Sequence, residues 1–175
     1  DMGRLQMDTK FLHGKRLAPY FIEAYENTKA DGESGKRLAE PVQLLRDWDY
    51  STPTDSIPTT FFNEAYRQAF RLTYEDEVSD SIWKVIREKP AAYNGFDNGI
   101  EDDFSLFDDR RTGNRVEGRD EILMKAMLEA IGVLEEKFGK DINDRQWGKR
   151  HTILFDHPFG GQHPLLRKIF SVGPY

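Results

Sequence analysis

A long amphipathic repeat after Gly118 sets the kind of fold this chain can adopt. From residue 120 to residue 138, apolar side chains recur every three to four positions, which is the period of one buried face of an α-helix. Asp120 and Glu121 lie at its N-terminal end, where carboxylates interact favourably with the helix dipole, and Gly139 ends it. The pattern therefore predicts a long helix in a mainly α domain. Its apolar face comprises Ile122, Leu123, Ala126, Met127, Ala130, Ile131, Leu134 and Phe138.

Three further segments show helical spacing. One is a shorter helix with Pro41 near its first turn, ending around Trp48 and Asp49, and another is introduced by Pro58. Residues 5–25 are also helical in pattern, but a proline has no backbone N–H, so we expect two helices there, the second starting at Pro19. The apolar positions of the helix that contains Pro41 are Leu38, Val42 and Leu45. Those of the helix introduced by Pro58 are Phe62, Ala65, Tyr66, Ala69 and Phe70.

Five other segments predict loops, a turn and a little extended structure. Residues 28–35, 50–58 and 108–118 are rich in polar residues, glycine or proline, which is typical of loops. Residues 151–155 predict a short strand, and residues 158–164 a turn. The sequence thus predicts one irregular helical domain over residues 1–175, with a short extended segment near its C-terminal end.

Composition excludes several classes of partner. The net charge of −6 argues against nucleic acid, whose phosphates need clustered Lys and Arg. No stretch approaches the roughly 20 apolar residues needed to cross a bilayer, so we expect no membrane span. Without cysteine, the chain has neither a thiol nucleophile nor a Cys-based zinc site. Hydrophobic residues make up only 38%, but twelve Phe, seven Tyr and three Trp supply bulky side chains for a core.

An acidic cluster within residues 101–109 is the first candidate for chemistry. Closely spaced carboxylates bind hard cations such as calcium, but Phe104 and Leu106 fall where an EF-hand would need ligands. A solvated helix end and a capped turn explain the cluster better than a metal site does. Its members are Glu101, Asp102, Asp103, Asp108 and Asp109.

The histidines and the serine and threonine hydroxyls form no stronger candidate for a metal or catalytic site than the acidic cluster does. His151, His157 and His163 lie six residues apart, wider than the usual zinc spacings, and the His-Pro pairs predict turns whose imidazoles bond backbone carbonyls. No serine lies in a G-x-S-x-G elbow, and no Lys-Ser/Thr pair follows Gly160-Gly161, the only diglycine. The sequence therefore predicts no catalytic, cofactor-binding or metal-binding residue in this chain.

Three stretches of the chain are similar to the motifs of one known family, in that family's order. Residues 5–9 (LQMDT) with 17–21 (LAPYF) resemble the helix pair "lQ.D..s..A..l.P.l". Residues 44–50 (LLRDWDY), with Asp55-Ser56 and Phe61-Phe62, are similar to "L..WD......S....lf". The third stretch runs from residues 107–109 (FDD) through the long helix to residues 147–158, and is similar to "fDd..T...E" and "WG..H...f.HP". Together they resemble the penicillin acylase (penicillin amidase) family.

The resemblance differs in two places: Leu106-Phe107 stands where the family often has a Trp, and Gly118 where a Ser or Thr is usual. These differences bear on the subfamily to which the chain would belong, and not on the family itself. The resemblance implies an N-terminal-nucleophile hydrolase with an αββα core, which cleaves itself to expose a serine that attacks the amide bond of an N-acyl compound. Its α-amino group would act as base, and an Asn side chain with backbone N–H groups would hold the oxyanion.

In the family pattern all catalytic residues, and the usual calcium ligands, precede Asp1, so no catalytic residue is carried over. The resemblance thus implies that this chain is an inactive helical lobe of the nucleophile-bearing chain. The partner of this chain would be the rest of the acylase. We expect no cofactor in this chain, although the whole enzyme could bind calcium. The enzyme would be periplasmic or secreted. Trp48, Trp147 and His151 would anchor packing and hydrogen bonds.

The lobe interpretation also predicts uncovered apolar side chains near the C-terminal end. Two other classes stay open. One is a free-standing helical module that binds a partner through aromatic residues, and the other is a metal-dependent hydrolase that uses the histidines and the acidic cluster. The side chains expected to lack cover are Leu154, Phe155, Phe159, Ile169 and Phe170.

Overall fold

α-Helices dominate the computed structural model, which describes residues 2–3, 8–28, 32–102, 106–108, 110–113, 116–155, 157–161 and 163–173. The mainly α fold class is therefore confirmed. Short 3₁₀ turns occur at Arg110–Thr112, Ile142–Asp144 and Pro158–Gly161. The helices are α1 (Leu12–Asn27), α2 (Gly32–Arg46), α3 (Ile57–Tyr74), α4 (Asp80–Ile86), α5 (Pro90–Asp102), α6 (Arg119–Phe138), α7 (Trp147–Arg150) and α8 (Pro164–Phe170).

Helix α6 lies at the centre of the fold, as its apolar repeat predicts. It packs against α3 and α1 most extensively and also contacts α2. All of its predicted apolar face is buried except Phe138, which is half-buried. The helix begins after Gly118, whose N–H donates to Glu121 Oε2 at 3.3 Å, and ends at Gly139, which has a φ of +91°.

Helix α3 supplies the other half of the core. Ser56 is its N-cap, with Oγ accepting from Thr59 N at 3.4 Å, and Pro58 occupies the first turn, where no backbone donor is needed. Phe61, Phe62 and Phe70 are at most 3% exposed. The rings of Phe62 and Phe70 form one cluster with aromatic residues of α1 and α5, so one part of the core is aromatic.

The prediction of a break at Pro19 is wrong, because α1 runs through it from Leu12 to Asn27. Leu17, Ala18 and Phe21, on either side of the proline, are fully buried. Pro19 itself is exposed, so the carbonyl that loses its helical donor faces water. Burial of the flanking side chains therefore outweighs the missing hydrogen bond. Residues 4–7 of the predicted first helix lie outside the described residues.

Helix α2 also begins earlier than predicted. It starts at Gly32, inside the expected 28–35 loop, so Pro41 lies in its interior and not near its first turn. Pro41 is buried together with Leu38, Val42 and Leu45, which places the proline in the helix–helix contact.

The strand predicted over residues 151–155 is not formed. Extended pairing in the described residues consists of two isolated antiparallel bridges, Lys10 with Ser51 and Phe155 with Val172. In the second bridge, Phe155 N donates to Val172 O at 2.9 Å, and Val172 N donates to Phe155 O at 3.1 Å. The segment turns back through α8 and pairs with itself at one point, so no longer ladder develops.

Candidate functional site

The acidic cluster does not form a metal site in the described residues. Glu101 binds the guanidinium of Arg16, with distances of 2.6 Å from Nε to Oε1 and 2.7 Å from Nη2 to Oε2. Asp102 ends α5, and Asp108 Oδ1 accepts from Glu117 N at 3.2 Å. No three acidic or histidine side chains in the described part of the chain are placed to hold a metal ion. Asp103 and Asp109 lie outside the described residues.

The C-terminal histidines are turn residues, but not in the predicted way. His157 Nδ1 accepts from Phe159 N at 3.3 Å, and His163 Nδ1 accepts from Leu165 N at 3.1 Å. Each imidazole therefore binds an N–H two residues ahead, whereas we expected a carbonyl partner. His163 caps α8 by this bond. His151 is exposed and stacks on Trp147, with ring centroids 4.8 Å apart.

The structure brings together three polar side chains, of which the sequence indicated only Tyr66, as a position on the apolar face of its helix. Tyr66 of α3 donates from its hydroxyl to Asp97 Oδ1 at 2.6 Å, and His13 Nε2 of α1 lies 3.1 Å from the same oxygen. Asp97, on α5, and Tyr66 are both 7% exposed. The cluster thus joins three helices at the edge of the aromatic core.

Arg16 supplies the positive charge next to this cluster. Its Nη1 lies 3.8 Å from Asp97 Oδ2, while its other donors bind Glu101 and Asn98. The hydrogen bond from Arg16 lowers the pKa of Glu101, although partial desolvation acts against it. Burial, followed by the hydrogen bond to Asp97, raises the pKa of Tyr66, so the phenol stays protonated.

In a Ser-His-Asp triad, the carboxylate orients the imidazole towards a nucleophile on its far side. Here the imidazole of His13 is flanked by the rings of Tyr66, Phe62 and Phe11. Its nearest ring, that of Tyr66, meets it edge to face with centroids 4.7 Å apart. Among the described residues, the arrangement therefore connects α1, α3 and α5 and surrounds the imidazole with aromatic rings.

The serines nearest the core serve as caps. Ser51 Oγ donates to Asp49 Oδ2 at 2.8 Å, and Ser56 Oγ lies 2.6 Å from Thr59 Oγ1. These bonds close the 50–56 loop onto the start of α3. These two hydroxyls thus take part in local structure.

Trp48 anchors this same loop from the end of α2, as expected. It is 5% exposed and donates from Nε1 to Ser51 O at 2.9 Å. Its ring rests on Gly14 of α1 so closely that a Cβ built at Gly14 would lie 2.6 Å from Trp48 Cη2. The tryptophan of the "WD" stretch is therefore a packing contact that requires a glycine opposite it.

The "WG" stretch makes a second close contact on the loop. Trp147 N donates to Ser56 O at 3.0 Å, and Gly148 N donates to Thr54 O at 2.7 Å. A Cβ at Gly148 would lie 3.0 Å from Thr54 Cβ, tighter than nearly all real contacts. Helix α7 is thus held by its backbone against the entry to α3, and Trp147 acts through its N–H and through stacking.

Arg150 adds a buried ion pair to this attachment. Its Nη2 lies 2.6 Å from Glu64 Oε2, in an orientation poor for a hydrogen bond, while Gln68 Nε2 donates to Glu64 Oε1 at 2.7 Å. The side chains of Glu64 and Arg150 are 1% and 13% exposed. Burial lowers the pKa of Arg150, and the charge of Glu64 opposes that effect.

Beyond α7, the chain presents an apolar surface to solvent. All five side chains predicted to lack cover are exposed, from Leu154 at 42% to Phe155 at 64%, and three neighbours are exposed with them. We call these eight residues the C-terminal apolar surface: Ile153, Leu154, Phe155, Phe159, Leu165, Ile169, Phe170 and Val172. None of the described helices is both long and apolar enough to cross a bilayer.

Comparison with known proteins gives one result that covers the whole chain. The family model described as "Penicillin amidase" matches residues 1–175. No curated protein matches the chain.

Proposed function

The chain belongs to the penicillin amidase family, and on that basis we propose that it is a structural lobe of an amide hydrolase whose nucleophile lies outside residues 1–175. Membership supports an acylase-like hydrolase at the level of the family. The substrate class we propose for the whole enzyme is an N-acyl compound, such as the side-chain amide of a β-lactam. The lobe itself positions no reacting group.

One observation carries this proposal: the motif residues behind the family resemblance serve as packing contacts. Trp48 lies on Gly14, and Gly148 lies on the backbone of Thr54. A glycine required by a close approach, and a tryptophan buried on it, hold elements of the fold together.

The chemistry proposed for the whole enzyme follows from the family. An N-terminal serine attacks the amide carbonyl, and its own α-amino group takes the proton, which is reasonable because an α-amine titrates near pH 8. Calcium has no role in our proposal for this chain, since its described residues offer no cluster that fits a metal. The part played by these residues is to support the fold of the enzyme.

The partner we propose is the remainder of the acylase, which would cover the C-terminal apolar surface. Exposed apolar patches of this kind often mark protein–protein contacts. We further propose a periplasmic or secreted location, because acylases of this kind are commonly exported. The absence of cysteine is compatible with that location but also with others.

The experiment is to express the natural protein that carries this chain and to analyse its chains by mass spectrometry and N-terminal sequencing. We expect self-cleavage that exposes an N-terminal serine, together with release of amine from a phenylacetyl amide. An uncleaved, inactive protein would contradict the proposal and would favour a helical module that binds a partner through its exposed aromatic residues.

A further inference from the structure

A cleft of about 370 Å³ opens between α3, α4 and the start of α5, on residues that the proposed function does not use. This volume lies at the lower end of the range for small-molecule sites, which is roughly 300–1,000 Å³. Its lining combines aromatic rings with guanidinium groups. Both kinds of group suit a flat anion.

The base of the cleft is aromatic. Phe70 of α3 is 2% exposed, and the ring of Tyr93 stacks on it with centroids 4.2 Å apart. The indole of Trp83 lies 5.7 Å from Phe70 and is half-buried, so part of its surface faces the cleft. The Tyr93 hydroxyl donates to the carbonyl of Arg87 at 2.8 Å, which ties the end of α4 to α5. An apolar ring entering the cleft would therefore meet ordered aromatic surface.

The rim of the cleft carries three arginines, of which one is already engaged. Arg71 binds Glu75, Glu129 and Gln68. Arg67 and Arg87 make no hydrogen bond through their guanidinium groups to any described residue. Their nearest carboxylate oxygens are 3.6 Å away on Glu64 and 3.9 Å away on Glu88. Two forked sets of donors thus remain available at the mouth of the cleft.

The charge of the cleft favours an anion. Its lining has three arginines and two glutamates, in a chain whose net charge is −6. Glu75 and Glu129 are both paired with Arg71, so neither of these carboxylates neutralises Arg67 or Arg87. The carboxylate of Glu64, which faces Arg67, is already paired with Arg150. A carboxylate that binds Arg67 or Arg87 therefore does not have to displace a strong ion pair.

We propose that this cleft binds a small aromatic carboxylate, with its ring against Trp83 and Tyr93 and its carboxylate on Arg67 and Arg87. The inference is independent of the amide-hydrolase proposal, because it uses only residues of α3, α4 and α5 and Arg87, which directly follows α4. The two requirements, a flat ring and a negative charge, can be separated experimentally.

The test is a titration of the 175-residue chain with benzoate. Binding is measured by calorimetry and by the shift of the Trp83 indole signal in NMR spectra. Benzamide keeps the ring without the charge, and cyclohexanecarboxylate keeps the charge without the flat ring. The variants are R67Q and R87Q, with K84Q as the matched control. Lys84 lies on the same helix as Trp83 and is exposed, but it does not line the cleft.

We expect saturable binding of benzoate with a Kd on the order of 1 mM, and binding about fivefold weaker or more for each control ligand. R67Q and R87Q should each weaken benzoate binding by about fivefold, whereas K84Q should leave it unchanged. Absence of saturable binding, or equal losses in R87Q and K84Q, would overturn the proposal and identify the arginines as solvated surface charges.

Discussion

Gly14 shows how one missing side chain allows two elements to meet. A Cβ there would lie 2.6 Å from Trp48 Cη2, 2.9 Å from Trp48 Cζ3 and 2.8 Å from Phe11 Cδ1. The ring of Trp48 is held on its other side by Phe62, at a centroid distance of 5.8 Å, and by its bond to Ser51. The indole therefore cannot move away easily.

We accordingly predict that Gly14→Ala lowers the free energy of unfolding by about 1–3 kcal/mol, because overpacking exceeds the gain in helix propensity. Gly132→Ala is the matched control, since Gly132 also lies inside a helix but has no atom within 4 Å of an added Cβ. That variant should gain about 0.5–1 kcal/mol. Urea denaturation of both variants is the measurement. Equal stabilisation would show that Trp48 does not pack on Gly14.

Asp49 gives a prediction about acid stability. The backbone N–H of Ser51, then Lys10 and the Ser51 hydroxyl, lower its pKa from 3.8 to about 2. A carboxylate with a depressed folded-state pKa stabilises the fold above its unfolded value, and that contribution disappears as the pH falls towards 2. We therefore expect the stability difference between the natural chain and Asp49→Asn to shrink from pH 4 to pH 2.

The measurement is urea denaturation of both proteins across that pH range, with the Asp49 pKa followed by NMR. Lys10→Met should raise the pKa of Asp49, because it removes the Nζ donor 3.0 Å from Oδ2. A stability difference that stays constant from pH 4 to pH 2 would show that these bonds do not persist in solution.

The His13–Asp97–Tyr66 cluster marks the limit of prediction from sequence at this scale. Its members come from α1, α5 and α3, and no fixed spacing links them. Tyr66 could be placed on the apolar face of its helix from periodicity alone. Its partner could not be predicted, because only tertiary packing brings Asp97 to it.

At the scale of elements, periodicity predicted α6 and α3 well because their apolar faces are continuous. It misplaced the boundaries of α1 and α2, where a local rule about proline competed with burial. The chain tolerates Pro19 because Leu17, Ala18 and Phe21 remain buried on one continuous face. The sequence shows that a proline removes a helical hydrogen bond, but it does not show how much free energy the burial of neighbouring side chains returns.

The attachment of α7 to α3 provides a prediction at this scale. Removing Arg150 would leave the buried carboxylate of Glu64 with Gln68 and, 3.6 Å away, the exposed Arg67 as its partners. We expect Arg150→Gln to cost about 2–4 kcal/mol of unfolding free energy, because Arg67 compensates the buried charge only in part. Glu64→Gln in the same protein should recover part of that loss.

A double-mutant cycle measured by chemical denaturation tests this coupling. The variant Arg150→Lys is a useful comparison, because it keeps the positive charge but loses the planar guanidinium group. If the effects of Arg150→Gln and Glu64→Gln simply add, the two side chains do not interact and α7 is held only by its backbone contacts.

At the scale of the whole molecule, the chain has a closed helical core and an open C-terminal segment. The core residues of α1, α2, α3, α5 and α6 are nearly all inaccessible, whereas the C-terminal apolar surface is exposed throughout. Exposure of this segment was expected from the family resemblance and is confirmed. Its pairing was not predictable, because the bridge from Phe155 to Val172 depends on how α8 folds back.

We predict that Phe155→Ser and Ile169→Lys reduce the binding of the dye ANS and the self-association of the chain, with little change in its unfolding free energy. Their side chains are 64% and 62% exposed, so their removal uncovers no core. Val116→Ser is the control, because Val116 is 80% exposed but lies outside the C-terminal apolar surface. A large loss of stability in the first two variants, or equal dye binding in all three, would contradict the interpretation of this surface as a docking face.

The central claim is that these residues support an amide hydrolase without supplying its chemistry. The most direct test compares the rate of amine release from a phenylacetyl amide by the natural full-length protein and by the 175-residue chain alone. The account predicts hydrolysis by the self-cleaved full-length protein and none by the chain. Hydrolysis by the chain alone, or its absence from the processed full-length protein, would contradict it.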